Sequence, residues 1–471
     1  MRLDKQTHKS LWRNRDFVLL FGGQAVSVLG TRISSLALPL LVLATTHSAA
    51  QAGFITSARM APYLILGLPA GVLIDRCNRK SAMIICDVAR CVALGSVPLA
   101  WAFWRLTLVQ LYIVALIQGT AFVFFNVAEM ASLPNVVASD DLAQATALDS
   151  AAGSAGSLLG PGLAGLIIGA AKSLPEGAVL AYLADAVTYL LSVVSLTFIR
   201  VPFQARHARD EVSESLSLQV KEGLRFLWRD KPLRTLAVTS WALSFLFAPV
   251  PLAMIVLARD AFHAGASMIG MIFSLSAVGG LIGAAIAPRL RGRLPFGWVI
   301  IGAVAVQAMV TPLVGLAVSP AMMIAGWSLA FMVDPVFSMA STSYRLAVTP
   351  DEMRGRVHSI YRMGGYGAEP LGTALGGLLL GMIGPRNEIL IAAAGVGVCA
   401  VAVSVTRIRT TPWPGPQEEG ALPHSPERLE RPRSRVRLVS HTKEPQTRRR
   451  IHETHTHLHS PGLHHRHGHK S

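Results

Sequence analysis

Ionisable side chains stand inside long apolar stretches of the sequence, where a charge is costly unless it is paired or used. Asp87 and Arg90, spaced one helical turn apart, can pair with each other and are predicted to be structural. The five candidates for a substrate or proton site are Arg32, Asp149, Asp185, Asp334 and Glu369. A carboxyl group in such a place is able to carry a proton, and Glu369 stands just before a proline in a glycine-rich stretch. Arg32 is suited to attract an anionic group or to pair with an acid such as Asp185. A structural role explains each of the five equally well.

The apolar stretches themselves are long enough to be membrane-spanning helices. The chain has 471 residues, of which 52% are hydrophobic and 15% are charged, whereas soluble domains carry about 25% charged residues. A span needs about 20 mostly apolar residues. Twelve segments qualify: 17–45, 52–74, 82–104, 106–127, 145–171, 179–199, 235–257, 267–288, 296–318, 321–343, 360–383 and 388–408. The sequence therefore predicts an all-α integral membrane protein with both termini on one side.

The basic residues predict which side that is. Most of them fall at the start of the chain, in alternate connections and in the tail, which the positive-inside rule assigns to the cytoplasm. The opposite face receives one base in each of four connections: Arg105, Lys172, Arg259 and Arg386. The connection after residue 127 is predicted to be cytoplasmic, although it carries Glu129, Asp140 and Asp141 and no base. Acidic residues weigh little in the rule, so both termini are expected to be cytoplasmic.

The chain divides into two similar halves. ASDDLAQATAL from Ala138 is echoed by TPDEMRGRVHSI from Thr349, and LLGPGLAGL from Leu158 by PLGTALGGL from Pro370, at a nearly constant offset. We predict six-helix bundles over 1–203 and 234–408, joined by an amphipathic cytoplasmic linker over 204–233 that lies along the membrane surface. Such duplicated halves enclose a central cavity in carriers that work by alternating access.

The tail, 409–471, is rich in Pro, Arg, Ser and His and is predicted to be disordered, because it has too few apolar residues for a core. Its weak candidate metal ligands are His455, His457, His459, His464, His465, His467 and His469. A solvated low-complexity tail is the preferred interpretation, and no metal site is predicted with them. The four cysteines form neither a metal-binding spacing nor a disulfide framework.

Several classes of function lack their sequence signals. We find no nucleophile elbow, no phosphate-binding loop and no zinc protease helix, so no enzyme activity and no cofactor are predicted. The net charge of +16 arises from loops and tail, and no nucleic-acid module is present. Transport by this chain would therefore draw its energy from an ion gradient, with protons as the expected coupling ion.

The loop GVLIDRCNRK resembles the signature loop between helices 2 and 3 of the major facilitator superfamily. The residues that carry the resemblance are Gly71, Asp75, Arg76, Arg79 and Lys80. The resemblance implies two six-helix bundles, with a glycine that permits close helix approach and charges that latch the halves together on the cytoplasmic face. Asn78 stands where the family usually has glycine, and we expect it to keep the turn because asparagine tolerates left-handed backbone.

A second motif, GSAGSLLGPGLAG, falls in the fifth predicted span. Gly156, Gly160, Pro161 and Gly165 resemble the helix 5 motif of proton-coupled drug exporters in the same superfamily, with Ala164 at a usual glycine. Small residues at this spacing let helices approach closely, and the motif favours an exporter over an importer. Those exporters also carry an arginine in helix 4, for which this chain has Ala115, so their mode of proton coupling does not transfer.

The segments LWRNRDFVLLFGGQAVSVLGT, ARMAPYLILGLPAGVLIDR and PDEMRGRVHSI resemble the macrolide-efflux and siderophore-exporter branch, over residues 11–408. This implies a monomeric exporter of an amphipathic small molecule by proton antiport, in the lipid bilayer of a prokaryotic plasma membrane. Two alternatives stay open. One is a same-fold importer of a nutrient or metal chelate, and the other is a membrane-anchored metal-binding or sensing protein that acts through its His-rich tail.

Overall fold

The computed structural model of the protein describes residues 11–67, 69–204 and 216–413, and nearly all of them are helical. The first half contains α1 (Arg15–Thr46), α2 (Ala49–Leu66), α3 (Pro69–Arg76), α4 (Arg79–Ala102), α5 (Leu108–Val136), α6 (Leu142–Ala170) and α7 (Leu174–Phe198). A linker helix, α8 (Leu216–Arg229), follows. The second half contains α9 (Lys231–Phe247), α10 (Val250–Phe262), α11 (Ala266–Arg293), α12 (Phe296–Gly315), α13 (Pro320–Val348), α14 (Asp351–Ile383) and α15 (Pro385–Ser404).

The described helices account for the predicted spans. Ten of them, with α9 and α10 taken as one, are long and apolar enough to cross a membrane, and the bent pair α2–α3 raises the number to eleven. The one remaining predicted segment, 360–383, which is the eleventh in chain order, lies within α14, a 33-residue helix. The mean hydropathy of this segment is lowered by Glu369, Pro370 and several glycines. The helix is therefore long enough to cross a membrane but is not among those that are also apolar enough. The all-α membrane fold is thus confirmed.

The first half is held together by α1, which packs against α6 and α7, while α4 packs against α5 and α7, and α2 against α5. In the second half α13 packs against α11 and α12, and α15 against α12 and α9. The two halves meet mainly where α2 lies along α14 and α6 lies along α11. The boundaries proposed for the bundles and linker stay predictions, and residues 414–471 lie outside the described residues.

Side-chain caps fix where many helices begin. The Asn14 side chain accepts from the backbone N–H groups of Asp16 and Phe17 at 3.1 and 3.2 Å and so starts α1. Asn78 starts α4 in the same way, since its oxygen accepts from the Ser81 N–H at 3.1 Å. Its φ is −69°. The expectation of a left-handed Asn78 was therefore wrong, and asparagine suits this position because it is a good N-cap.

The C-terminal end of α5 differs from the sequence-based prediction. The helix continues to Val136, so Glu129 lies inside it rather than in a connection. The hydropathy of the sequence falls well before the helix ends, because Glu129 and Asn135 occupy its last turns. Glu129 is consequently a further ionisable residue of the bundle that the analysis of apolar runs missed.

The linker helix α8 also departs from expectation in part. Leu227 is fully buried in the core of the second half, and Glu222 forms an ion pair with Arg356 of α14. Gly223 lies against Arg356 and Ile360. Leu224 and Trp228 are exposed. The apolar residues of α8 are thus shared between the bundle and its surroundings, and the helix does more than rest on the membrane surface.

A buried ion pair joins three helices of the first half. Asp87 and Arg90 of α4, one turn apart as their spacing predicted, lie 3.4 Å from each other. The other Asp87 oxygen accepts from the Ser192 hydroxyl of α7 at 2.7 Å. The Arg90 guanidinium stands 5.1 Å from the ring centres of both Phe125 and Tyr189. A charge pair with hydrogen-bond and aromatic partners is tolerable inside a bundle, so this cluster is structural.

We expect Arg90→Met to lower the stability of the detergent-purified protein by about 3–5 kcal/mol, because it leaves the Asp87 carboxylate buried without its partner. The double variant Asp87→Asn, Arg90→Met should recover much of the loss. Thermal unfolding is the measurement. The control is Arg259→Met, which breaks a half-exposed pair with Asp260 and should cost at most about 1 kcal/mol. Equal losses at both sites would contradict a structural role for the buried pair.

Candidate functional site

A cavity of about 280 Å³ opens within the second half, between α9, α12, α13 and α14. Its wall is largely apolar and includes four aromatic side chains, Phe247, Trp327, Phe331 and Phe337; we call it the aromatic cavity. Trp327 packs against two of these rings, at centroid distances of 6.2 Å to Phe247 and 5.3 Å to Phe331. A pocket of this size and lining suits the apolar part of a small organic molecule.

Two of the predicted site residues, Asp334 of α13 and Glu369 of α14, meet in this cavity. Asp334 is exposed and Glu369 is half-buried. Neither carboxylate forms an ion pair within the described part of the chain. Carboxylates without a structural partner at membrane depth are functional candidates, because the cost of holding them there is otherwise not offset.

Two polar atoms that sequence analysis did not single out also belong to this cavity. Gln307 and Trp327 line it, and their Oε1 and Nε1 atoms are buried with no hydrogen-bond partner among the described residues. A buried polar atom without a partner loses the hydrogen bonds that water would supply. The two atoms are therefore available as an acceptor and a donor for a bound molecule.

Arg32 and Asp185 lie in the first half and do not form the ion pair considered for them. Asp185 of α7 is fully buried, accepts from the Thr188 hydroxyl at 3.2 Å and lies against Gly30. Arg32 is exposed. Residues 30 and 32 point about 200° apart around a helix, so the arginine is turned away from the acid. Asp185 is therefore enclosed between helices of the first half, whereas Arg32 lies on a solvent-accessible surface.

Asp149 is exposed near the N-terminal end of α6, where no described ion pair includes it. It does not share the second-half cavity with Asp334 and Glu369. The His-rich tail lies outside the described residues. Within the described part of the chain, no cluster of three His, Cys, Asp or Glu side chains is placed to hold a metal ion.

The small residues of α6 face two neighbours. On one side Gly156 and Gly160 lie against Val28 and Arg32 of α1. On the other side a Cβ atom at Gly165 would stand 2.7 Å from the Ala266 carbonyl oxygen of α11.

Hydroxyl groups reinforce the second contact. The Gly162 N–H donates to the Ser274 hydroxyl at 2.7 Å, and the Ser267 hydroxyl donates to the Gly165 carbonyl at 3.1 Å. The helix that bears Pro161 is therefore joined by backbone contacts to the second half, at the end opposite the Asp75 loop.

Within the described residues, the charged segment at the end of α3 and the start of α4 contacts its own half. Asp75 is 68% exposed and pairs with Arg79 at 3.1 Å. Arg79 also donates to the Ala131 carbonyl of α5 at 2.8 Å, and Lys80 donates to the Ile199 carbonyl at 2.7 Å. Nothing lies within 4 Å of a Cβ atom built at Gly71. In this conformation the bases secure the ends of α5 and α7, and the glycine makes no close helix contact.

Relatives of the chain are transporters by name. The chain is 26% identical over 373 residues to the multidrug efflux pump Tap of Mycolicibacterium fortuitum. The aligned region covers 77% of this chain and 88% of Tap. It is 24% identical over 248 residues to macrolide efflux protein A of Streptococcus pyogenes, covering 52% of this chain and 60% of that one.

Solved structures show which fold the chain adopts. The nucleoside transporter NupG, as a variant, superposes with a TM-score of 0.70 at 13% identity, over 83% of this chain and 99% of that one. A bacterial homologue of the iron transporter ferroportin, in an inward-facing state, superposes with a TM-score of 0.69 at 18% identity, over 84% and 99%. At such identities these structures show the fold alone.

The fold and the sequence relatives together define a multi-pass membrane transporter of the major facilitator type. Residues 8–430 match the profile of one branch in particular, described as transmembrane secretion effector. The chain belongs to that family, which confirms the resemblance noted in its loop and helix motifs.

We expect Gly165→Val to push α6 away from α11, because the new side chain meets the Ala266 carbonyl and the Gly270 backbone. Overpacking of this kind costs about 1–3 kcal/mol. Labelling of Ala266→Cys, a buried position, by a membrane-impermeant maleimide should rise several-fold in a background without native cysteines.

The matched control is Gly153→Val on the same helix, where nothing lies within 4 Å of an added Cβ. It should leave labelling unchanged. Equal labelling of Gly165→Val and the parent would mean that this contact does not close the outer end of the bundle.

Proposed function

We propose that the protein exports an amphipathic small molecule by alternating access, in exchange for protons. The observation that carries the proposal is the aromatic cavity with its two carboxylates without ion pairs, Asp334 and Glu369. The names of the relatives, a multidrug efflux pump and a macrolide efflux protein, support the outward direction. The six-helix halves would rock about a site near the middle of the membrane.

The place of the two acids supports proton exchange as the source of energy. Burial of a neutral carboxyl group in an apolar site costs far less than burial of a carboxylate. Protonation of Asp334 or Glu369 therefore favours the closed cavity, and loss of the proton favours an open one that water enters. The closed cavity has no room for a substrate, so closure of the protonated site and binding of a substrate exclude each other. Uptake of a proton is thereby coupled to release of the substrate.

The conformation fits a state that is open toward the cytoplasm. Close backbone contacts between the halves occur at Gly53 with Gly377 and at Gly165 with Gly270. Both contacts lie near helix ends that the positive-inside rule assigns to the outside. At the other end Asp75 pairs only with Arg79 of its own loop. We infer that Asp75 engages the second half when the transporter opens outward.

The acids give a test of coupling. Asp334→Asn and Glu369→Gln should each reduce proton-driven transport in energised everted vesicles by tenfold or more, since each removes a group that titrates. Dissipation of the proton gradient should stop transport by the parent protein while ATP is still present. The measurement is uptake of the macrolide or dye that a susceptibility panel identifies as exported.

Asp140→Asn is the matched control, because Asp140 is exposed and lies away from the cavity. It should transport like the parent. Transport that continues without a gradient would exclude proton coupling. Unchanged rates in both cavity variants would assign the proton to another acid of the bundle, such as Glu129, Asp149 or Asp185.

The loop charge gives a second test. Asp75→Asn keeps the shape of the side chain and removes a charge-assisted contact worth about 1–3 kcal/mol, which should shift the balance of states by about 5- to 150-fold. Transport should fall, and cysteine labelling of the cytoplasmic end should rise.

The control for this test is Asp260→Asn, which breaks an exposed ion pair with Arg259 at 3.0 Å near the other end of the bundle. It should leave both measurements unchanged. Normal transport and labelling by Asp75→Asn would mean that the loop serves only as an orientation signal.

A further inference from the structure

Two arginines in the middle of the bundle, Arg32 of α1 and Arg59 of α2, have no acid in ion-pair contact. Neither guanidinium takes part in an ion pair or a hydrogen bond within the described residues. Other arginines of the spans are compensated, since Arg90 pairs with Asp87 and Arg345 lies 4.1 Å from the centre of the Tyr361 ring.

Contacts of Arg32 place its side chain in the interior, although it is solvent-exposed. Its stem lies over Gly156 and Gly160 of α6. Its guanidinium is within electrostatic range of Arg59 and of Tyr366 on α14. These neighbours come from both halves, so Arg32 borders the space between the halves and does not face lipid.

The same space has an aromatic border. Tyr63 lies one turn beyond Arg59 on α2, and its ring centre is 4.3 Å from that of Tyr366. Arg362 stands over both rings, at 5.8 and 5.5 Å, and donates to the Asn126 side chain at 3.2 Å. The tyrosine pair therefore separates Arg362, on the cytoplasmic side, from Arg32 and Arg59 nearer the middle of the bundle.

The charge of this space is net positive. No described ion pair joins either arginine to an acid, and the buried carboxylate of Asp185 already accepts from Thr188. Two cations at membrane depth with one distant acid are costly, and an anion bound between them would offset that cost.

We propose that Arg32 and Arg59 bind the anionic group of the exported molecule, which is therefore an amphipathic organic anion such as a carboxylate or sulfonate. The inference rests on the proposed export function. The aromatic cavity is one turn of α14 away, because Glu369 lines it and Tyr366 borders the arginines. One molecule would place its charge at the arginines and its apolar part among Phe247, Trp327 and Phe331.

The test uses two fluorescent probes with the same rings, anilinonaphthalene sulfonate and its uncharged analogue N-phenylnaphthylamine. The full-length protein is reconstituted in phosphatidylcholine vesicles, and affinity is measured for the parent, Arg32→Gln, Arg59→Gln and Arg32→Lys. Loss of a charge-assisted contact should weaken sulfonate binding by about tenfold or more in the glutamine variants. Arg32→Lys should retain most of it, and the uncharged analogue should bind all variants alike.

The control is Arg386→Gln, an exposed arginine at the opposite end of the bundle from the Asp75 loop, which should bind both probes normally. If Arg32→Gln and Arg59→Gln both bind the sulfonate as tightly as the parent does, the proposal is overturned. So would an equal loss for both probes, because it would show that the arginines only maintain the shape of the cavity.

Two further arms separate the possible occupants and functions. If phosphatidylglycerol in the vesicles displaces the sulfonate from the parent but not from the glutamine variants, the occupant is a lipid headgroup and the assignment to an exported molecule is wrong. If sulfonate binding depends on the arginines but a pH gradient drives no sulfonate uptake into everted vesicles, the anion site stands and the export function fails.

Discussion

The cost of holding a charge away from water governs where this chain places its ionisable residues. Asp87 and Arg90 are buried as a pair, and Ser192 supplies a further hydrogen bond. That cluster holds α4 and α7 together. Asp334 and Glu369 have no such partner and border a cavity instead. Paired charges therefore maintain the bundle, whereas the unpaired ones are available to a proton or a ligand.

Glycine determines how the halves meet. At Gly165 with Gly270, and at Gly53 with Gly377, the backbones of facing helices approach too closely for a side chain. Lipid supplies little hydrophobic force between helices, so close packing and hydrogen bonds must provide the attraction. The Ser274 hydroxyl accepts from the Gly162 N–H and adds one such bond. The outer end thus closes through surface complementarity of two small-residue stripes.

Much of this fold follows from the sequence, because bilayer thickness sets span length and loop charge sets orientation. Glu129 was misplaced since helix ends extend beyond the apolar run. The pairing of Arg32 with Asp185 failed because helical phase turns them apart. The convergence of Asp334 and Glu369 depends on how α13 packs beside α14, which hydropathy does not encode. The sequence therefore predicts the helices themselves but not the distances between side chains on different helices.

The two ends of the bundle differ in how they respond to salt. The described contacts between the halves at the end opposite the Asp75 loop, such as Gly53 with Gly377, are uncharged. Nearer the middle of the bundle the halves also share a neutral hydrogen bond, from the Ser57 hydroxyl to the Pro370 carbonyl at 2.7 Å. The end that bears the Asp75 loop exposes charge, but in this conformation Asp75 pairs with Arg79 of its own half. Ionic strength screens exposed charges and leaves neutral contacts almost untouched. Salt on that side would therefore weaken the contact proposed between Asp75 and the second half and would leave the opposite end almost unaffected.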